Sequence, residues 1–208
     1  MKNINLFKHN SIKITGNSNI YIDPFQIDNE TKDADIIFIT HSHYDHFSIK
    51  DILKIKNENT IIVSTKDTYQ ELIKYFDSNK IIIVIPNNSY EVLGIKFDTV
   101  RAYNVNKSFH PIDNDWVGYN INIDNIKYYI MGDTDINDDV LKVKCDVLFI
   151  PIGGTYTMDY KEAASYTNTI NPKTVIPTHY GLIVGDVKLG QEFKLLINSN
   201  ISCEIYIK

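Results

Sequence analysis

His41-Ser42-His43-Tyr44-Asp45-His46 places three imidazoles and one carboxylate within six consecutive residues. A hydrophobic core has no use for that cluster, whereas imidazole and carboxylate are common ligands of zinc, manganese and iron. Residues 35–40, just upstream, are mostly β-branched and aromatic and read as a buried strand. Along an extended segment His41 and His43 point to one side, because side chains alternate. Their nitrogens can therefore converge on one ion at about 2.0–2.1 Å. Asp45 and His46 are adjacent, so they face away from the first pair and serve a second ion. Ser48 then opens a capping box with Asp51 reaching back, so the cluster occupies a strand–loop–helix junction.

Four residues are too few to hold two ions. Two further apolar runs end in polar residues of the right type: residues 126–131 lead into Gly132-Asp133-Thr134, and residues 174–178 lead into His179-Tyr180-Gly181. Asp133 can bridge two ions through its two oxygens, and His179 can complete the second site. Gly132 and Gly181 permit the turns that a crowded site needs. Alone, a Gly-Asp-Thr after a strand is a turn or helix cap and a single histidine is structural. Taken with the first cluster, in this order and at strand ends, they indicate a binuclear metal centre.

This order of motifs resembles the metallo-β-lactamase superfamily over nearly the whole chain. Tyr21-Ile22-Asp23-Pro24 matches a place where the family often keeps an acidic residue behind the ligands. The stretch 146–158, the pair Ala163-Ala164 and Asn171-Pro172-Lys173 resemble the branch containing ascorbate-phosphate lactonases and the phospholipase D that hydrolyses N-acylphosphatidylethanolamine. The resemblance implies an α/β fold, a four-layer αββα sandwich with two facing sheets and helices outside, formed by residues 1–208 as a single domain. It implies that His41, His43 and Asp133 hold one divalent ion and that Asp45, His46, Asp133 and His179 hold a second. The ions would be about 3.5–4 Å apart with a shared hydroxide. Zinc is the first expectation, manganese or iron the alternatives. A metal-bound hydroxide would then attack an ester, lactone or phosphodiester of a small anionic substrate. Asp45 and His179 would belong to the catalytic set, Asp45 also as a proton acceptor, and Asp23 would fix a ligand imidazole from behind.

One departure stands out. Asn104 occupies the place where many members have a further histidine for the first ion. An amide oxygen is a harder and weaker ligand than imidazole and suits manganese, magnesium or iron better. His110, six residues on, is a candidate replacement ligand or substrate contact. Asn104 also motivates an alternative, a metal-binding or ligand-sensing module of the same fold with little turnover. Tyr156, Met158 and Tyr180 are candidates to line the mouth, and Arg101 and Lys107 to meet an anionic group. His9 stands apart from every motif and reads as structural or exposed.

The 208 residues are enough for a large core, at 43% hydrophobic content. A net charge of −5 excludes a sequence-independent grip on nucleic acid, which needs a basic surface. No run approaches the ~20 apolar residues of a spanning helix, and polar residues break up the first nine positions, so neither a membrane span nor a signal peptide is expected. The two cysteines, Cys145 and Cys203, read as buried free thiols, which suits the cytoplasm. A homo-oligomer is compatible with the sequence but not specified by it.

Strands are expected over residues 11–15, 19–22, 61–64, 80–85, 96–103, 116–123, 126–131, 146–151, 174–177 and 201–207. Helices are expected over 66–76, 159–169 and 187–197.

Overall fold

The computed structural model describes residues 3–207. The chain divides into two compact units, Met1–Ile85 and Pro86–Lys208. Each is built on one mixed sheet.

The N-terminal unit runs β1 (Ile4–Leu6), β2 (Ile12–Thr15), β3 (Asn19–Ile22), β4 (Ala34–Phe38), α1 (Ile49–Ile55), β5 (Lys56–Ser64), α2 (Tyr69–Leu72) and β6 (Ile81–Ile83). Its sheet has the strands in sequence order, antiparallel from β1 to β3 and parallel from β3 to β6. In β2, Ile12 and Ile14 are buried while Thr15 is exposed, the alternation of a half-covered strand. In β4, Ala34, Ile36, Ile37 and Phe38 are all buried, as a parallel strand covered on both faces requires. Ile52 and Ile55 of α1 pack with Ile37, Ile62, Leu72 and Phe76. Fully burying such a side chain stabilises by roughly 1.5–3 kcal/mol.

Ser48 does cap α1, its hydroxyl oxygen accepting from the Asp51 backbone N–H at 3.3 Å. Asp51 does not reach back to the Ser48 backbone as expected. Its buried carboxylate accepts instead from the backbone N–H groups of Gln26 (2.9 Å) and Ile27 (3.0 Å), and from the Ser48 hydroxyl (2.7 Å). The amides of a neighbouring loop satisfy more of its lone pairs than one cap N–H could.

The C-terminal unit runs β7 (Ser89–Val92), β8 (Ile95–Arg101), β9 (Val117–Ile123), β10 (Ile126–Ile130), β11 (Val147–Pro151), α3 (Tyr160–Ile170), β12 (Thr174–Thr178), α4 (Leu189–Leu195) and β13 (Ser202–Cys203). Its sheet order is also sequential, antiparallel from β7 to β10 and parallel from β10 to β13. The β9–β10 hairpin turns on Asp124 and Asn125, with φ of +51° and +63°, the two left-handed positions of a type I′ turn. Asp159 and Glu162 form a reciprocal capping box on α3. Leu148, Ile150, Val175, Ala163, Ala164 and Phe193 share the core of this unit.

Two further expectations fail for identifiable reasons. Residues 66–76 hold a 3₁₀ turn and the short α2 rather than one helix, because i→i+3 bonds such as Lys74 N–H to Glu71 and Tyr75 N–H to Leu72 tighten the segment. The last strand shrinks to Ser202–Cys203. The carbonyls of Lys173 and Val175 accept from Ser202 and Glu204, but the next residue on that edge of β12 is Pro177, which has no N–H to donate. The edge strands β1 and β7, each three or four residues long, had no expectation at all. Among the described residues no helix is long and apolar enough to cross a membrane.

Candidate metal centre

In the N-terminal unit the candidate ligands follow the C-terminal ends of the parallel strands, the usual place for sites in such sheets. Asp23 follows β3 directly and is fully buried, with φ of +44°, which aspartate tolerates better than most residues. Its Oδ1 accepts from the Thr40 backbone N–H at 2.8 Å. Its Oδ2 accepts from the Asn10 side-chain amide (2.9 Å), the Thr40 hydroxyl (2.7 Å) and His46 Nδ1 (2.7 Å).

This network sets two tautomers. Asp23 can only accept, so His46 carries its proton on Nδ1, and Nε2 of the neutral ring presents a lone pair. The Thr40 hydroxyl spends its one proton on Asp23, so its oxygen accepts from His41 Nδ1–H at 2.9 Å. His41 Nε2 then also presents a lone pair, and it stands 3.1 Å from His43 Nδ1. Two nitrogens bound tetrahedrally to one zinc ion are about 3.3 Å apart. The loop is closed behind them by the backbone N–H groups of His46 (3.0 Å) and Phe47 (2.8 Å), both donating to the His43 carbonyl.

Asp45 is buried, with Oδ2 3.7 Å from His46 Nε2. The same oxygen lies 3.0 Å from Nε2 of His9. His9 is therefore neither exposed nor remote. It is 1% exposed, in the turn between β1 and β2. No local spacing could reveal it; only the sheet order, which sets the 7–11 turn at the same end as Asp23 and Thr40, brings it to Asp45.

In the C-terminal unit Asp133 follows β10, His179 follows β12, and both are buried. Gly132 (φ +64°) makes the turn before Asp133, and His179 itself takes a left-handed φ of +57°. Asp133 Oδ2 lies 2.9 Å from His179 Nε2 and 3.2 Å from His110 Nε2. Asn104 does not offer its amide oxygen as a ligand. That oxygen accepts from the His110 backbone N–H (3.0 Å) and from His110 Nδ1 (3.1 Å), while the Asn104 amide donates to the Tyr156 carbonyl (2.9 Å). His110 accordingly carries a proton on Nδ1, and its Nε2 faces Asp133. Thr134 and Asp135 tie the turn to residues 103–107: Thr134 Oγ1 accepts from the Tyr103 N–H at 3.1 Å, and Asp135 accepts from the Val105 N–H at 3.0 Å.

The expected anion contacts are engaged elsewhere. Lys107 pairs with Asp135 at 2.8 Å and Arg101 with Asp115 at 2.6 Å. Tyr156 is half-buried, edge-on to the exposed Phe109 with centroids 4.8 Å apart. Tyr180 and Met158 are fully buried, so neither lines a mouth. The Tyr180 hydroxyl donates to the Ile207 carbonyl at 3.3 Å, and its ring fills the space above Gly190 of α4. Cys145 and Cys203 are free and half-buried.

His41 with His43, and His110 and His179 with Asp133, bring ring-nitrogen and carboxylate atoms to within 2.9–3.2 Å of one another, with the imidazole and carboxylate composition of a zinc, manganese or iron site. The residues present therefore fit divalent metal.

A family model described as a β-lactamase superfamily domain matches residues 3–179. A UPF0173 metal-dependent hydrolase of Thermococcus onnurineus is 32% identical over 212 residues, covering 95% of this chain and 92% of that one. The chain belongs to the metallo-β-lactamase superfamily. A candidate metal-dependent hydrolase from Parabacteroides distasonis, solved by crystallography, superposes with a TM-score of 0.80 at 28% identity, over 97% of this chain and 91% of that one. Igni18, a metallo hydrolase from Ignicoccus hospitalis, superposes with a TM-score of 0.76 at 21% identity, over 98% and 94% of the two chains. These likenesses show the metallo-β-lactamase fold that the motif order implied. In superfamily terms Asn104 marks the departure, and its side chain is spent on holding His110.

Proposed function

We propose that this chain is a metal-dependent hydrolase, working as a single domain over residues 1–208, that cleaves an ester, lactone or phosphodiester of a small molecule. The observation that supports the proposal is the shared orientation of His41, His46 and His110, each with Nδ1 tied to a hydrogen-bond acceptor and Nε2 turned toward another candidate ligand. Following the family pattern, His41, His43 and Asp133 hold one divalent ion, with His110 supplying the nitrogen that Asn104 does not. Asp45, His46, Asp133 and His179 hold the second. The ions are zinc, with manganese or iron as alternatives. When bound, such ions polarise a carbonyl or phosphoryl oxygen and lower the pKa of water to about 7.

The protein's own residues do the rest. Asp23 keeps His41 and His46 in their ligating tautomers through Thr40 and directly. Asp45, at the edge of the cluster, accepts a proton from the attacking water. Arg101 and Lys107 are ion-paired, so the anionic part of a substrate is recognised by the metal charge. The non-catalytic alternative is motivated by Asn104, whose side chain holds His110. Two free cysteines suit a reducing compartment such as the cytoplasm.

The test is a panel of lactones, carboxylic esters and phosphodiesters, assayed with protein stripped by chelator and reloaded with zinc, manganese or iron. Turnover of at least one class by the loaded protein, absent from a folded His46→Ala variant, is expected. A loaded protein that turns over no class would favour the metal-binding module.

A further inference from the structure

We infer that His9 is a positioning residue of the metal centre, acting through Asp45. It rests on the proposal that Asp45 and His46 are metal ligands. His9 Nε2 stands 3.0 Å from Asp45 Oδ2, and its ring is edge-on to those of His46 and Phe25, with centroids 5.8 and 6.4 Å away. Its backbone is left-handed, with φ of +59°, in a turn closed by Phe7 N–H to the Ser11 carbonyl (2.9 Å) and Ser11 N–H to the Lys8 carbonyl (2.8 Å). Glycine or asparagine takes that conformation more easily than histidine. The turn alone therefore gives no reason for an imidazole.

The surroundings give one. The next residue, Asn10, donates to Asp23, and Ser11 Oγ accepts from the Phe25 backbone N–H at 3.1 Å. The turn is thus fastened to the same loop that sets His46, and its His9 side chain is directed at Asp45. With its proton on Nε2, His9 donates to one lone pair of Asp45 Oδ2 and leaves the remaining lone pairs for metal and water. His9 stands behind Asp45 as Asp23 stands behind His46. Such partners set metal affinity by about 10–100-fold.

Two substitutions separate this role from a purely structural one. The amide nitrogen of glutamine reaches where His9 Nε2 stands; that of asparagine does not, although asparagine suits the left-handed turn better. Affinity for zinc and for manganese is measured by competition with a chromophoric chelator on wild type, His9→Asn and His9→Gln, beside the melting temperature of each apo-protein. His9→Asn is expected to lose about 10–100-fold in affinity for one of the ions, with an apo melting temperature within a few degrees of wild type. His9→Gln is expected to retain most of the affinity. Wild-type affinity in His9→Asn overturns the inference. So does an equal loss in both variants, which would make His9 a ligand itself. A wild-type protein that binds neither metal refutes the metal centre and the inference with it.

Discussion

Asp23→Asn is nearly isosteric and keeps a residue that tolerates φ of +44°. Its consequences therefore come from hydrogen bonding alone. The carboxylate accepts four hydrogen bonds, one at Oδ1 and three at Oδ2. With the new carbonyl oxygen kept on the Thr40 N–H, an NH₂ group replaces Oδ2 and faces three donors. The Asn10 amide can flip to present its oxygen, but the new NH₂ has two protons for three partners, so one buried group is left unsatisfied at about 1–3 kcal/mol. The charge-assisted bond from His46 is also lost, so the apo-protein should lose about 2–5 kcal/mol in all.

The Thr40 hydroxyl and His46 can adapt only by reversing their roles. His46 accepts at Nδ1 and carries its proton on Nε2, where the metal should sit. Thr40 accepts from the new amide and turns its own proton toward His41 Nδ1, which reverses His41 as well. One substitution in a residue that need not touch metal should thus weaken both ions together, by at least the 10–100-fold typical of such partners, about 1.4–2.7 kcal/mol each. Urea unfolding of the apo-protein and chelator competition for each metal read the two effects separately. Wild-type affinity at both ions in Asp23→Asn would refute the tautomer argument.

His110→Ala should lose affinity for one ion, and adding Asn104→His in that background should recover it by restoring the commoner family ligand; metal titrations that show no recovery would mean the two positions are not interchangeable. Burial pushes the Asp51 carboxyl up, but hydrogen bonds from Lys54, Ser48 and the Gln26 and Ile27 amides outweigh it and hold the group below its ordinary 3.8. Its folded pKa being depressed, its stabilisation is present above the unfolded value and lost as pH falls through the folded one. Asp51→Asn should therefore cost about 1–3 kcal/mol at neutral pH, with the difference from wild type shrinking as denaturation is repeated below about pH 4. Burial pushes the Cys145 thiol up to about 12 and Cys203 to about 11. Neither should alkylate with iodoacetamide in the folded protein at pH 8, and rapid labelling counted by mass spectrometry would contradict their burial.

What could be read from the sequence was local. The 41–46 cluster, Asp133 and His179 were legible because each follows an apolar run, and a strand end is visible in a few residues. Asp23 was legible through its family position, although its four bonds were not. His9 was invisible because its place depends on β1, three residues long and without a pattern of its own. Asn104 showed as a missing ligand, but the bond that turns His110 toward Asp133 spans a loop, and no spacing rule covers it. Tyr180 looked available because a residue beside a ligand can point either way; the packing against Gly190 decides. The shortened last strand was in principle legible in Pro177, once the pairing of β12 was known.

The central claim is that two donor sets, fixed in their ligating tautomers, hold divalent metal. Elemental mass spectrometry of wild-type protein, purified without chelators or a metal-affinity column, tests it most directly. Two divalent ions per chain are expected. A chain that contains none, and takes up none from zinc, manganese or iron, would contradict the claim.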